Sequence, residues 1–273
     1  MKLQRMNLQW MNLRGGWALV RKSLFRYMAG RGFFWTLALG WMMGPLVYMF
    51  VWATAAKAGA AGGFERGDFV FYYLCLILVN QFTYPVSNWT VGDVIRSGSF
   101  SSWLLRPLPA IYEAIGADVA AKMVCMPFSL AVVAVLGLVL RPSFAFSWPA
   151  ALAFVLALLL AQGLRFMLAY VLALLALWSQ RADALLGLND TFLFLLGGQV
   201  APTALLPGVL QQVATVLPYR YMIGFPIELL MGRLSRAEMV AGFAWQVGWL
   251  AAAVLLHQLV WRRGILRYAA VGG

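Results

Sequence analysis

FFWTLALGWMMGPLVYMFVWA, from Phe33 to Ala53, carries no charged residue. As a helix rising 1.5 Å per residue it covers about 30 Å, the hydrocarbon thickness of a bilayer. Similar apolar runs recur from about Phe69 to Val91, Val119 to Leu140, Trp148 to Trp178, Ala184 to Val200 and Met239 to Trp261. Of the 273 residues 63% are hydrophobic and 11% charged, against about 25% charged in soluble domains. The pattern predicts an all-α integral membrane protein with six transmembrane helices in a single domain, residues 1–273. The fourth run exceeds the bilayer thickness and must tilt, kink or project.

Six crossings place both termini on one side. Of the 21 Lys and Arg, 14 lie in segments on that side: seven in residues 1–32, then Arg96, Arg106, Lys122, Arg181, Arg262, Arg263 and Arg267. Six lie on the other side, and Arg165 falls within a run. The positive-inside rule makes the termini cytoplasmic. The net charge of +12 is mostly this topology signal, and nucleic acid is not an expected partner. The basic first 32 residues lack the apolar core and cleavage site of a signal peptide. Within them GWALVRKSLFRYMAG sets Trp17, Val20, Leu24 and Tyr27 on one helical face and Arg14, Arg21, Lys22 and Arg26 mostly on another. That pattern predicts an interfacial amphipathic helix in contact with membrane lipid, the alternative being a loose basic tail.

Between the second and third runs stands VGDVIRSGSFSSWLLRPLPA, residues 91–110. A short helix-like stretch, two arginines and a Pro-x-Pro stop are more than a loop needs. An ordered cytoplasmic element over residues 93–112 is expected, with Gly98 permitting a turn and Pro107 and Pro109 ending it.

From Val200 to Arg236 the chain is apolar yet interrupted by Pro202, Pro207, Pro218 and Pro226, so one straight helix cannot form. Two short helices, about 204–216 and 221–232, are expected in an outer re-entrant hairpin spanning 201–238, covered by protein or a watery cavity. This hairpin suits either an external gate or a structural cap.

Polar residues at membrane depth are costly and should face protein or water. Asn80, Gln81, Gln162 and Arg165 fall at comparable depth and line either one polar track or a static hydrogen-bonded cluster. Asp190 either pairs with Arg181 or sits in an inner vestibule. The chain has no G-x-x-x-x-G-K-[ST] phosphate cradle. Its one histidine, His257, and its lone cysteines, Cys75 and Cys125, suit ordinary span positions better than metal or catalytic chemistry.

These features, in this order, resemble the membrane subunit of an ABC-2-type transporter, in the branch of small six-span permeases whose ATPase is a separate polypeptide. VGDVIRSGSFSSWLLRPLPA looks like the branch's Ile-Arg-x-Gly turn followed by Leu-Leu-Arg-Pro. ALWSQRADAL (176–185) is similar to its turn between spans four and five. GGQVAPTALLP and LPYRYMIGFPIELLMG are similar to its Pro-rich outer helices.

The resemblance implies a non-enzymatic permease in a bacterial inner membrane, without a cofactor of its own. ATP and Mg would sit on two copies of a cytoplasmic ATPase, and a second permease, identical or homologous, would complete the complex. It further implies that Asp93, Ile95, Arg96, Gly98, Trp103, Leu104, Arg106 and Pro107 form the ATPase-coupling element. Arg96 and Arg106 would then bond the partner or lipid phosphate, or serve only as positive-inside anchors. An apolar path with few charges favours an amphiphilic or hydrophobic substrate, and the resemblance implies export. A lipid-modifying enzyme would need a cluster of acid or base residues, yet the nine acidic residues are scattered. An ion-coupled carrier would need inverted repeats and embedded carboxylates, which the sequence does not display.

Overall fold

The computed structural model describes residues 13–57, 63–142, 147–179 and 182–268, with side chains described at all of these except 13, 31–38, 87 and 88. Twelve α-helices occur among the described residues, and no strand. In chain order they are α1 (Leu13–Ala29), α2 (Arg31–Lys57), α3 (Arg66–Thr83), α4 (Ser87–Arg96), α5 (Ser101–Leu104), α6 (Ile111–Leu140), α7 (Trp148–Leu174), α8 (Ala182–Leu196), α9 (Gly208–Val216), α10 (Tyr219–Met222), α11 (Gly224–Leu230) and α12 (Arg236–Gly264).

Among the described residues four segments are long and apolar enough to cross a membrane: Leu39–Lys57, Ile111–Leu140, Trp148–Leu177 and Arg236–Gly264. The second and fifth runs of the sequence differ from expectation. The second is not one helix, because α3 stops at Thr83 and α4 restarts at Ser87. Pro85 has no N–H to continue the ladder and disfavours helical geometry at Tyr84, which takes an extended conformation. The fifth run forms only the 15-residue α8, about 22 Å long. The third run extends backwards to Ile111, taking in Glu113, Asp118 and Lys122.

The core joins α3, α7 and the 219–231 segments, with Phe69, Tyr72, Leu76, Leu164 and Phe225 almost fully buried. After α8 the chain turns at Gly198, whose φ of +88° suits a residue without Cβ. Its free carbonyls find donors: Tyr72 Oη donates to Gly198 O at 2.7 Å, and Tyr73 Oη and Trp52 Nε1 donate to Val200 O at 2.7 and 2.8 Å. These bonds tie the hairpin region to α2 and α3.

The Pro-rich region folds as α9, α10 and α11, preceded by a 3₁₀ turn at Thr203–Leu205, rather than as two helices. Its prolines start helices as much as they stop them. Pro202, Pro207 and Pro218 directly precede the 3₁₀ turn, α9 and α10, and Pro226 lies in the first turn of α11. In a first turn no intrahelical N–H is lost.

Helix α1 lies along α6. Gly116 makes this possible, since a methyl there would meet Leu19 Cβ at 3.0 Å and the Leu19 backbone at 3.2 Å. Val20 and Ser23 are buried on this side. Trp17, Phe25 and Met28 are exposed, and the Arg21 guanidinium lies over the Phe25 ring. The expected apolar face is therefore divided, with Val20 turned towards α6 and Trp17 left outward.

Candidate functional site

The element joining α3 to α6 is ordered and anchored on three sides. Helix α4 buries Val91 and Ile95 in a cluster with Leu174, Leu186 and Val260. Two residues past its end at Arg96 stands Gly98, whose φ of +73° reverses the chain so that the Phe100 N–H returns to Val94 O at 3.0 Å. Phe100 is fully buried, its ring edge-on to Trp261 and Tyr268 and tilted against Trp103. Tyr268 Oη donates to Gly98 O at 2.7 Å and accepts from Ser101 N at 3.0 Å. One phenol thus fastens the turn to the chain just beyond α12.

The two arginines are engaged within the chain. Arg96 Nη2 lies 2.5 Å from Asp93 Oδ1 and 2.9 Å from Asp183 Oδ2 at the start of α8. The hydrogen bond that Arg96 donates to Asp93 holds the guanidinium above its usual pKa, with Asp183 adding to the effect. Arg106 pairs with Glu113, which also receives Lys22 of α1 at 3.3 Å. The element leaves Asp93, Ser97, Ser99 and Ser102 exposed along its length, and Leu104, Leu105 and Pro107 exposed together at its end, Leu105 by 87%. Near the end of α12, Leu266 is 86% exposed, and Arg262, Arg263 and Arg267 are exposed around it.

Further along the bundle the expected polar residues partly converge. Arg165, 5% exposed, donates from Nη1 to Asn80 Oδ1 at 2.7 Å and to Thr83 Oγ1 at 2.8 Å, with its guanidinium 5.5 Å from the Tyr84 ring centroid. Gln162 Nε2 instead donates to Asp118 Oδ2 at 2.7 Å, and Lys122 reaches the same oxygen at 2.5 Å. Gln81 is buried but makes none of these bonds. Asp190 is half-buried, lies 3.5 Å from Asn189 Nδ2, and interacts electrostatically with Arg165. Its expected partner Arg181 lies outside the described residues.

Sequence reasoning missed Thr83, Asp118 and Lys122. The break between α3 and α4 frees backbone groups, and α6 fills them: Asp118 Oδ1 accepts from Val86 N at 3.2 Å, and Lys122 Nζ donates to Tyr84 O at 3.2 Å. An Asp and a Lys four residues apart share one helical face, and that spacing was the available signal. Tyr268 had none, since its contact spans 170 residues.

His257 packs near Tyr170 and Trp261, and Cys75 and Cys125 are buried and unpaired. These are the surroundings of packing residues.

With only helical regular structure and four membrane-length helices among its described residues, the chain is a multi-pass membrane protein. A family model described as ABC-2 family transporter protein matches residues 39–272, and the chain belongs to that family. It is therefore a membrane subunit of an ABC transporter, a family that works with an ATP-binding-cassette subunit. No curated protein matches the chain.

Proposed function

We propose that this chain is the permease half of an ABC exporter for amphiphilic or hydrophobic substrates in a bacterial inner membrane. In this reading α2, α3, α6, α7, α8 and α12 make six crossings with both termini cytoplasmic. The chain pairs with a second permease, identical or homologous. Two cytoplasmic ATPase subunits supply ATP, Mg and the hydrolytic site. Helices α9, α10 and α11, with Pro202, Pro207, Pro218 and Pro226, act as the outer gate.

The observation that carries this reading is the α4–α5 element, which is apolar at its tip and braced at its base. Leu104, Leu105 and Pro107 stand outward and would dock in a groove of the ATPase. Arg96, Arg106 and Tyr268 connect the element to α8, to α6 with α1, and to the end of α12. Movement of the tip on ATP-driven closure would then displace several helices together. The cluster around Asp118 and Arg165 serves as the fulcrum, because it holds α3, α6 and α7 at the point where α3 gives way to α4.

A second reading has Asn80, Gln81, Gln162, Arg165 and Asp190 lining the substrate path. The half-buried carboxylate of Asp190 on the apolar helix α8 favours it. The function is tested by purifying the tagged chain from its native membrane in mild detergent. A co-purifying subunit with ATPase activity supports the reading. A chain that comes down alone, without hydrolysis, refutes it.

A further inference from the structure

Helix α3 begins at Arg66 and ends at Thr83, just before α4. At its Arg66 end, away from the α4–α5 element, α2, α3 and the last residue of α6 line a cavity of about 150 Å³. Its walls are graded in polarity. On α2 the lining residues Met49, Ala53 and Lys57 follow one another at four-residue spacing along a single helical face, and on α3 Val70 and Arg66 do the same. Met49 and Val70 are buried, whereas Lys57, the last residue of α2, and Arg66, the first of α3, are exposed. The cavity therefore has an apolar floor and a cationic rim.

Neither cation is matched. Among the described residues no side chain bonds or pairs with Lys57 or Arg66, and no acidic residue lines the cavity. Glu65 and Asp68 flank Arg66 in sequence but lie outside the lining, and Asp68 is engaged by Arg233. The Thr54 hydroxyl, also on the wall, donates to Phe50 O at 2.8 Å. In the six-crossing reading this end is the outer one, where lysine and arginine are the exception. Two of them unpaired on one cavity call for a counter-charge from outside the chain.

Charge, polarity and size narrow the occupant. A cation would be repelled by the rim, a neutral apolar molecule would leave the charges unmatched, and a free inorganic anion would leave the floor uncovered. A cavity of this volume takes a group about the size of benzene, which suits a phosphate and the start of a chain but not a whole lipid. It is also open to the lipid-facing surface: Phe50, one of its walls, is 63% exposed. Val47 and Val51 on α2 and Leu138 and Val139 on α6 continue that exposed apolar surface. We propose that this cavity is a binding site for the phosphate head of an anionic phospholipid. Lys57 and Arg66 donate charge-assisted hydrogen bonds to its oxygens, and the acyl chains lie along the exposed faces of α2 and α6. The site stands apart from the ATPase-coupling element and does not depend on it.

The test uses the full-length protein in a neutral detergent, with bound lipid counted by native mass spectrometry as phosphatidylglycerol or phosphatidylcholine is titrated. The wild type should bind phosphatidylglycerol in a saturable first step that phosphatidylcholine does not reproduce. Lys57→Gln combined with Arg66→Gln should weaken that step roughly tenfold or more. Arg262→Gln combined with Arg263→Gln removes the same charge at the other end of the bundle and should leave it unchanged. Thr54→Phe fills the cavity at constant charge and should weaken the step as much as loss of the two cations. If the Lys57 and Arg66 double variant does not fold, Thr54→Phe decides. The proposal is overturned by equal binding of the two lipids, by a Thr54→Phe protein that binds like the wild type, or by an equal loss in the Arg262 and Arg263 variant, which would mean net charge alone. Displacement of the lipid by an equal concentration of inorganic phosphate would also overturn it, because a free anion would then suffice.

Discussion

Lys122 Nζ lies 3.2 Å from the carbonyl oxygen of Tyr84, at the point where α3 gives way to α4. One helical turn earlier on α6, Asp118 accepts the Val86 N–H and lies 2.5 Å from Lys122. An ion pair inside the bundle therefore stands in for the helical hydrogen bonds that Pro85 forbids. Removing one member of a buried pair leaves an uncompensated charge, at about 3 to 5 kcal/mol. Asp118→Ala should destabilise by that amount, measured by thermal or chemical unfolding in detergent. A loss below about 1 kcal/mol would mean that water, not the pair, satisfies the break.

Arg165 gives a second prediction at the same level. Arg165→Leu leaves Asn80 Oδ1 without its donor, a cost of about 1 to 3 kcal/mol. Replacing both partners by apolar groups is far less damaging, so Asn80→Leu combined with Arg165→Leu should recover part of the loss. A double-mutant cycle reads this coupling directly. If instead Arg165→Leu keeps full stability but abolishes transport, the residue belongs to the substrate path.

The fastening of the turn by Tyr268 is testable without a transport assay. Tyr268→Phe retains the ring against Phe100 but deletes the hydroxyl shared by Gly98 and Ser101. With one hydrogen bond worth about 1 kcal/mol, amide exchange at Ser101 should quicken roughly fivefold, read by hydrogen–deuterium exchange. Unchanged protection over residues 97–104 would remove Tyr268 from the account.

Gly98 should resist substitution for a backbone reason. Its φ of +73° costs a residue with a Cβ about 1 to 2 kcal/mol. Gly98→Val should therefore reduce the transporter's ATP-dependent activity while α6 and α7 stay intact by circular dichroism. Wild-type coupling in that variant would show that the turn need not keep its shape.

Much of this architecture is legible in the sequence because hydrocarbon imposes length and composition on a spanning helix. The runs at 148–178 and 239–261 reappear as α7, continued by a 3₁₀ turn at Leu175–Leu177, and as α12. Gly98 turns the chain, with φ of +73°, where the sequence puts a turn, whereas α5 already ends at Leu104, before Pro107. Pro85 was visible too, but the apolar residues on both sides masked the break it makes. The roles of Arg96 and Arg106 could not be read from the chain, because their partners Asp183 and Glu113 are identified only by the fold. Charge near a loop suggested an external contact, whereas the ion pairs are internal and the end of the element exposes Leu104 and Leu105.

That distinction sets the most direct test of the coupling element. Leu105 is 87% exposed, so Leu105→Glu should leave the permease as stable as wild type. If the tip docks in an ATPase groove, Leu105→Glu should release the co-purifying ATPase and abolish transport-coupled hydrolysis, with the thermal midpoint of the isolated permease unchanged. Retention of a fully active ATPase on the Leu105→Glu permease would contradict the account.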